Sequence, residues 1–221
     1  MKKKLQVLSI SLALASATSI LHAEGNINAG KEKSASCTSC HGDDGNSMVS
    51  TFPKLAQQHS SYLAQQLHAF KDSSRNDPMM SPMAQALSDE DITDISAYYA
   101  AQKVSENTLP ALAPVDEDEK PSGKKTDIQA LIAQGSDLYR NGNLTSEVSA
   151  CIACHGPFGE GNKPASFPAL RSQHADYLIK ALTDFKSGSR SNNPDNIMHM
   201  IAKKMTDEEI KAVAYRISMM K

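Results

Sequence analysis

Residues 37 to 41 read Cys-Thr-Ser-Cys-His and residues 151 to 155 read Cys-Ile-Ala-Cys-His, and these two pentapeptides use all four cysteines of the 221-residue chain. A Cys-x-x-Cys pair alone could serve as a redox dithiol or as half of a zinc site. The adjoining histidine changes the reading. Two thiols three positions apart can form thioethers to the two vinyl groups of one porphyrin, and the next residue then sets its imidazole under the iron. Zinc would have to gather the pairs across 110 intervening residues, and a thioredoxin-like dithiol needs a strand-to-helix setting that the sequence lacks. The spacing therefore predicts two covalently attached haem c groups, one at Cys37 and Cys40, the other at Cys151 and Cys154, with His41 and His155 as the proximal iron ligands.

The elements that must position these residues occur twice. Cys37, Cys40, His41, Gly42 and Gly45 recur 114 residues later, and Phe52, Pro53, Leu55, His59, Tyr62, Leu63, Leu67, Phe70, Lys71, Ser74 and Arg75 recur at an offset of 115. So many ordered matches make the chain two copies of one module. Within each copy, Leu63, Leu67 and Phe70, or Leu178, Leu182 and Phe185, line one face of a helix. Capping-box starts at Ser88 with Asp91, and at Thr206 with Glu209, open a terminal helix in each module. A shorter helix is expected before each cysteine pair, near residues 28–36 and 127–140. No stretch sustains period-two alternation, so the fold class is all-α. Modules of ~80 residues are marginal on a hydrophobic core alone, and with 5% aromatics and no Trp the long Gly-, Pro-, Asn- and Ser-rich segments need something to wrap around.

The repeat also nominates the sixth ligand of each iron. With the terminal helix starts as ruler, Ser88 corresponds to Thr206 at an offset of 118, and Met80 then lands on Met198. Met79 and Met83 land on isoleucines, so Met80 and Met198 are the expected distal ligands. The rival histidines fit less well. His59 and His174 match between the repeats, each preceded by Gln, but at a helix start in a polar setting; His199 and His68 have no counterpart histidine.

Residues 1–23 combine Lys2 to Lys4, an apolar stretch and a small residue at position 23, the pattern of a secretory signal peptide. Its removal takes the formal charge from −2 to −5, which does not point to nucleic acid. The expected organisation is signal 1–23, first domain 24–103, linker 104–125 carrying three prolines and an acidic run, and second domain 126–221. Localisation in the periplasm follows from the signal.

Cys37 to His41, Phe52-Pro53-Lys54-Leu55 and Met80, with Cys151 to His155, Phe167-Pro168-Ala169-Leu170 and Met198, resemble the motifs of exported dihaem cytochromes c of the cytochrome c4 type, two tandem class I cytochrome c domains each wrapped around one haem. The resemblance implies that Pro53 and Pro168 offer backbone carbonyls to His41 and His155. It implies an electron carrier rather than an enzyme, shuttling between a quinol-oxidising bc complex and a terminal oxidase. The expected partners are redox proteins, membrane respiratory complexes and peripheral membrane contact included. Two alternatives stay open at this point: a dihaem enzyme of peroxidase or thiosulfate-oxidising type, which needs a vacant sixth position, and a haem subunit fixed on a dehydrogenase. A longer segment before Cys151 departs from the first module and is expected to add a surface loop. Arg75 and Arg190 are candidates for pairing with haem propionates.

Overall fold

A computed structural model describes residues 25–109 and 127–221; the expected signal peptide and most of the expected linker lie outside them. The first module runs α1 (Ile27–Lys33), a 3₁₀ turn at Ser34–Ser36, α2 (Thr38–His41), α3 (Ser60–Lys71), α4 (Met80–Gln85) and α5 (Asp89–Ala100). The second runs α6 (Ile128–Asn141), α7 (Ile152–His155), α8 (Ala175–Ser187), a 3₁₀ turn at Pro194–Asn196, α9 (Ile197–Ala202) and α10 (Asp207–Ser218). Among the described residues the only β pairing is two isolated bridges, Asn143 with Val148 and Asn162 with Phe167. The all-α expectation holds. So do both capping boxes: the Ser88 and Thr206 side chains accept from the N–H of Asp91 and Glu209, whose carboxylates accept from the cap N–H in return.

Each module is built on one crossing of its first and last long helices, α1 with α5 and α6 with α10. Tyr98 and Tyr99 on α5 pack with Leu63 and Ile95, and Tyr215 on α10 packs with Leu131 and Ala212. The helices before the cysteines match at an offset of 105, set by Gly30 and Gly135, against 114 for the cysteines. The second module is thus nine residues longer here. The extra chain forms the expected loop at the surface, closed by the Asn143 to Val148 bridge with Leu144 at its tip. In the first module the cluster containing Tyr99 is small, with four buried residues, and Cys37 packs on its edge. An apolar cofactor fits such a deficit.

The two modules face each other through polar groups arranged with approximate two-fold symmetry. Arg190 reaches from the second module to the Tyr62 hydroxyl at 3.0 Å, and Arg75 from the first to the Tyr177 hydroxyl at 3.4 Å. Each guanidinium lies 4.4 Å from the ring centroid of the phenylalanine five residues before it, Phe185 or Phe70, a cation–π stack that fixes its direction. Residues 105–107 hold to both modules: Ser105 N–H donates to Asn46, while Asn107 donates to the carbonyls of Ser172, Gln173 and Ser218.

Candidate haem-binding sites

Cys37 and Cys151 cap the N-termini of the single helical turns α2 and α7. The His41 and His155 amides both donate to those cysteines' carbonyls at 3.0 Å. One helical turn brings side chains at i and i+3 to the same face, so the two thiols of each pair share a side and the histidine follows on from them. Gly42 (φ 80°, ψ 156°) and Gly156 (φ 75°, ψ 165°) end the turns in a region that only glycine enters readily.

Both imidazoles are buried, at 6% and 9% exposure for His41 and His155. His41 Nδ1 lies 2.9 Å from the Pro53 carbonyl oxygen and His155 Nδ1 lies 3.0 Å from that of Pro168. A carbonyl only accepts, so each Nδ1 carries the proton and each Nε2 presents a free lone pair. Burial holds both imidazoles below their ordinary pKa, so they are neutral. Phe52 and Phe167 stand tilted to the imidazoles, with ring centroids 6.3 and 6.5 Å away. The proline role expected from the resemblance is therefore present in the hydrogen bonding of both modules.

All four cysteines are free and half-buried. Burial raises the Cys37 thiol and pushes the Cys151 thiol up to about 11, the reverse of the depressed value that an oxidoreductase dithiol needs. Among the described residues no three His, Cys, Asp or Glu side chains converge as a metal cluster, so the pairs do not meet as one zinc site. The donor set fits haem c: two thiols on one face, a buried neutral imidazole with its outer nitrogen free and, in the first module, a thin apolar core beside them.

Met80 is the first residue of α4 and Met198 the second of α9, short helices in segments expected to be loop. Their amides are tied down by side chains, Met80 N–H to Asp77 Oδ1 at 3.0 Å and Met198 N–H to Asn193 Oδ1 at 2.9 Å. Met79, Met83, Ile197 and Met200 are all exposed, whereas Met80 and Met198 are half-buried. Two of the rival histidines are otherwise engaged: His199 Nδ1 bonds the Phe185 carbonyl at 2.7 Å, and His174 Nε2 bonds the Ser47 carbonyl at 2.9 Å. His59 and His174 cap α3 and α8 as helix-start residues. The sequence did not mark Gln58, Gln66 or Gln173 as structural residues; the repeated Gln-His pair was the visible trace of two of them.

The Cytochrome c family model matches residues 27–103 and 132–219. The chain is 40% identical over 215 residues to cytochrome c4 of Pseudomonas aeruginosa, covering 97% of this chain and 96% of that one. It is 37% identical over 183 residues to a thiosulfate dehydrogenase electron acceptor of Thiomonas intermedia, covering 82% and 77%. Its fold is similar to the crystal structure of reduced recombinant cytochrome c4 from Pseudomonas stutzeri, with a TM-score of 0.78 at 38% identity over 89% of this chain and all of that one. A duplicated attachment motif on buried, neutral imidazoles, in a chain matched from end to end, has one reading: this protein belongs to the cytochrome c family as a dihaem electron carrier of the cytochrome c4 type, with a covalently bound haem c in each domain.

Proposed function

We propose that His41 with Met80, and His155 with Met198, are the axial ligand pairs, and that the chain is an exported periplasmic shuttle carrying electrons from a quinol-oxidising bc complex to a terminal oxidase. Haem c, when bound, supplies one-electron chemistry between ferrous and ferric iron. The chain's part is to hold each Nε2 toward the metal by anchoring Nδ1 on Pro53 or Pro168, and to keep the sixth position filled. The observation that carries the assignment is the matched exposure: at the shared position both methionines are half-buried, while Met79 and Met83 beside the first, and Ile197 and Met200 beside the second, are exposed. A thioether in that place favours the ferrous state and leaves no site for substrate. Domain limits of 24–103 and 126–221, joined by 104–125, and a signal at 1–23 complete the proposal. Among the described residues no helix is long and apolar enough to cross a membrane, and the partners are redox proteins met at the surface.

A second delivery route has its own support, since a relative is named as an electron acceptor for thiosulfate dehydrogenase. The ligation is the same in both, and only the donor differs. Optical and CO-binding measurements on the purified holoprotein test the ligands. The expected result is a Met-to-iron charge-transfer band in the oxidised form and no CO binding near neutral pH. Met80→Ala and Met198→Ala should each open one haem to CO. Ready CO binding by the unmutated protein overturns the double His/Met assignment. Reduction rates with a bc complex and with a thiosulfate dehydrogenase then choose between the donors.

A further inference from the structure

The Pro53 carbonyl that accepts from His41 belongs to the same peptide unit as the Lys54 N–H, and that N–H donates to Gln173 Oε1 of the other module at 2.8 Å. The second module repeats this in reverse. The Pro168 carbonyl accepts from His155, and the Ala169 N–H of the same peptide donates to Gln58 Oε1 of the first module at 2.9 Å. Each glutamine also donates through Nε2 to the carbonyl of the residue it caps, Gln173 to Lys54 at 2.9 Å and Gln58 to Ala169 at 2.8 Å. Each carboxamide oxygen accepts in addition from the following amide, His174 or His59, at 3.0 Å. Both side chains are buried, at 7% and 8% exposure. These bonds fix the orientation of both carboxamides, because only an oxygen can face two N–H groups.

We propose that Gln173 and Gln58 are crossed positioning residues: each acts from the opposite module on the hydrogen bond of a proximal histidine and so sets the reduction potential of the haem in the module facing it. The physics is bond cooperativity in a dry interface. An acceptor on the N–H end of a peptide makes its carbonyl oxygen a stronger acceptor, by roughly 10–30% per bond. A stronger pull on Nδ1–H raises the basicity of Nε2, and a more basic imidazole favours ferric iron. Gln173 therefore lowers the potential at the Cys37 and Cys40 site, and Gln58 lowers it at the Cys151 and Cys154 site. A glutamine serving only to join the modules could cap any peptide at the boundary. Here the peptide chosen on both sides is the one that carries the histidine's acceptor.

The inference rests on His41 and His155 being iron ligands, and the test separates the two. The midpoint potentials of the two haems are measured individually in the holoprotein by following resolved haem methyl resonances through a redox titration. Gln173→Leu should raise the potential of the first-module haem and leave the second nearly in place, Gln58→Leu should do the opposite, and Gln173→Glu, which keeps an acceptor oxygen, should bring the first potential back to or below its original value. A shift confined to the substituted module, equal shifts at both haems, or none overturns the proposal. In the unmutated, fully reduced protein, scalar coupling across the hydrogen bonds should link Lys54 N to Gln173 Cδ and Ala169 N to Gln58 Cδ. Its absence also overturns the relay, whatever the variants do. Lost histidine ligation would show separately, as a change in the low-spin optical spectrum.

Discussion

A Cβ at Gly135 would lie 2.0 Å from the carbonyl oxygen of Ala212, so α6 and α10 meet backbone against backbone. Gly30 stands in the same relation to the Asp94 carbonyl where α1 crosses α5. In an open helix interior, Gly→Ala stabilises by roughly 1 kcal/mol. At this crossing the added methyl must push two helices apart, at a cost of about 1–3 kcal/mol. An approach of 2.0 Å to backbone puts the cost at the upper end of that range, so Gly135→Ala should destabilise the holoprotein by about 1–2 kcal/mol. Denaturant unfolding checks it, and an unchanged or higher midpoint contradicts the close crossing.

The terminal helices should also respond to their caps. Ser88→Ala and Thr206→Ala each remove the acceptor for a first-turn amide, which costs about 1 kcal/mol. The acid limb of stability reports the same box. Bonds from the Ser88 hydroxyl and amide, reinforced by Lys33, hold the Asp91 carboxyl at about 2, below its ordinary 3.8. A depressed folded value means that the unfolded chain binds the proton first. The stabilisation is thus present above about pH 4 and is lost as pH falls toward 2. In Asp91→Asn the thermal midpoint should change less over that window than in the unmutated protein.

The sequence showed the local features because their signals are local. The attachment pentapeptides, the capping boxes and the amphipathic faces of α3 and α8 each lie within a few residues, and the repeat showed every one twice. The short helices α4 and α9 escaped because six-residue runs such as Met80–Gln85 are too brief for a periodic signal and contain Pro82. The Gly30 and Gly135 crossings were hidden by the nine-residue shift in offset. The contacts between the modules left no more than the repeated Gln-His pair as a trace: Gln173 meets Lys54 across 119 positions, and nothing in a polar side chain's neighbours announces a partner so distant. Residues 105–107 were expected to be solvated linker, yet Asn107 spends its amide on three carbonyls of the second module.

Docking of the modules should weaken in mild acid. His174 and His59 both sit at the boundary with pKa values lowered from 6.5, chiefly by burial. Lys54 adds to the effect at His174, and Lys163 and Arg171 add to it at His59. The Ser47 carbonyl and Asp176 oppose it at His174 without reversing it. A group whose folded value is depressed contributes stability that is complete above its unfolded value and lost as pH falls below it. Interface stability should therefore decline below about pH 6.5. Small-angle scattering of the holoprotein at pH 7.5 and 5.5 should show a larger radius of gyration at the lower pH, and His174→Gln should reduce the difference. A radius independent of pH contradicts the account.

Gln66 breaks the approximate two-fold of the boundary, for its counterpart is Ala181. Its Oε1 accepts from Arg75 at 2.7 Å, Arg190 at 3.0 Å and Asn192 at 2.9 Å, and Arg190 is 6% exposed. Gln66→Leu withdraws one oxygen from three donors, two of them cationic. Leaving buried donors unsatisfied costs about 1–3 kcal/mol per group, and the hydroxyls of Tyr62 and Tyr177 remain to take part of the load. The expected loss is therefore about 2–3 kcal/mol. Removing both partners together should cost less than the sum of the single changes, because an apolar pair leaves no stranded donor between them. A double-mutant cycle of Gln66→Leu with Arg190→Met should give a coupling energy above about 1 kcal/mol. Strict additivity would mean that the guanidinium finds water or another acceptor in solution, and the buried hub at Gln66 would not stand.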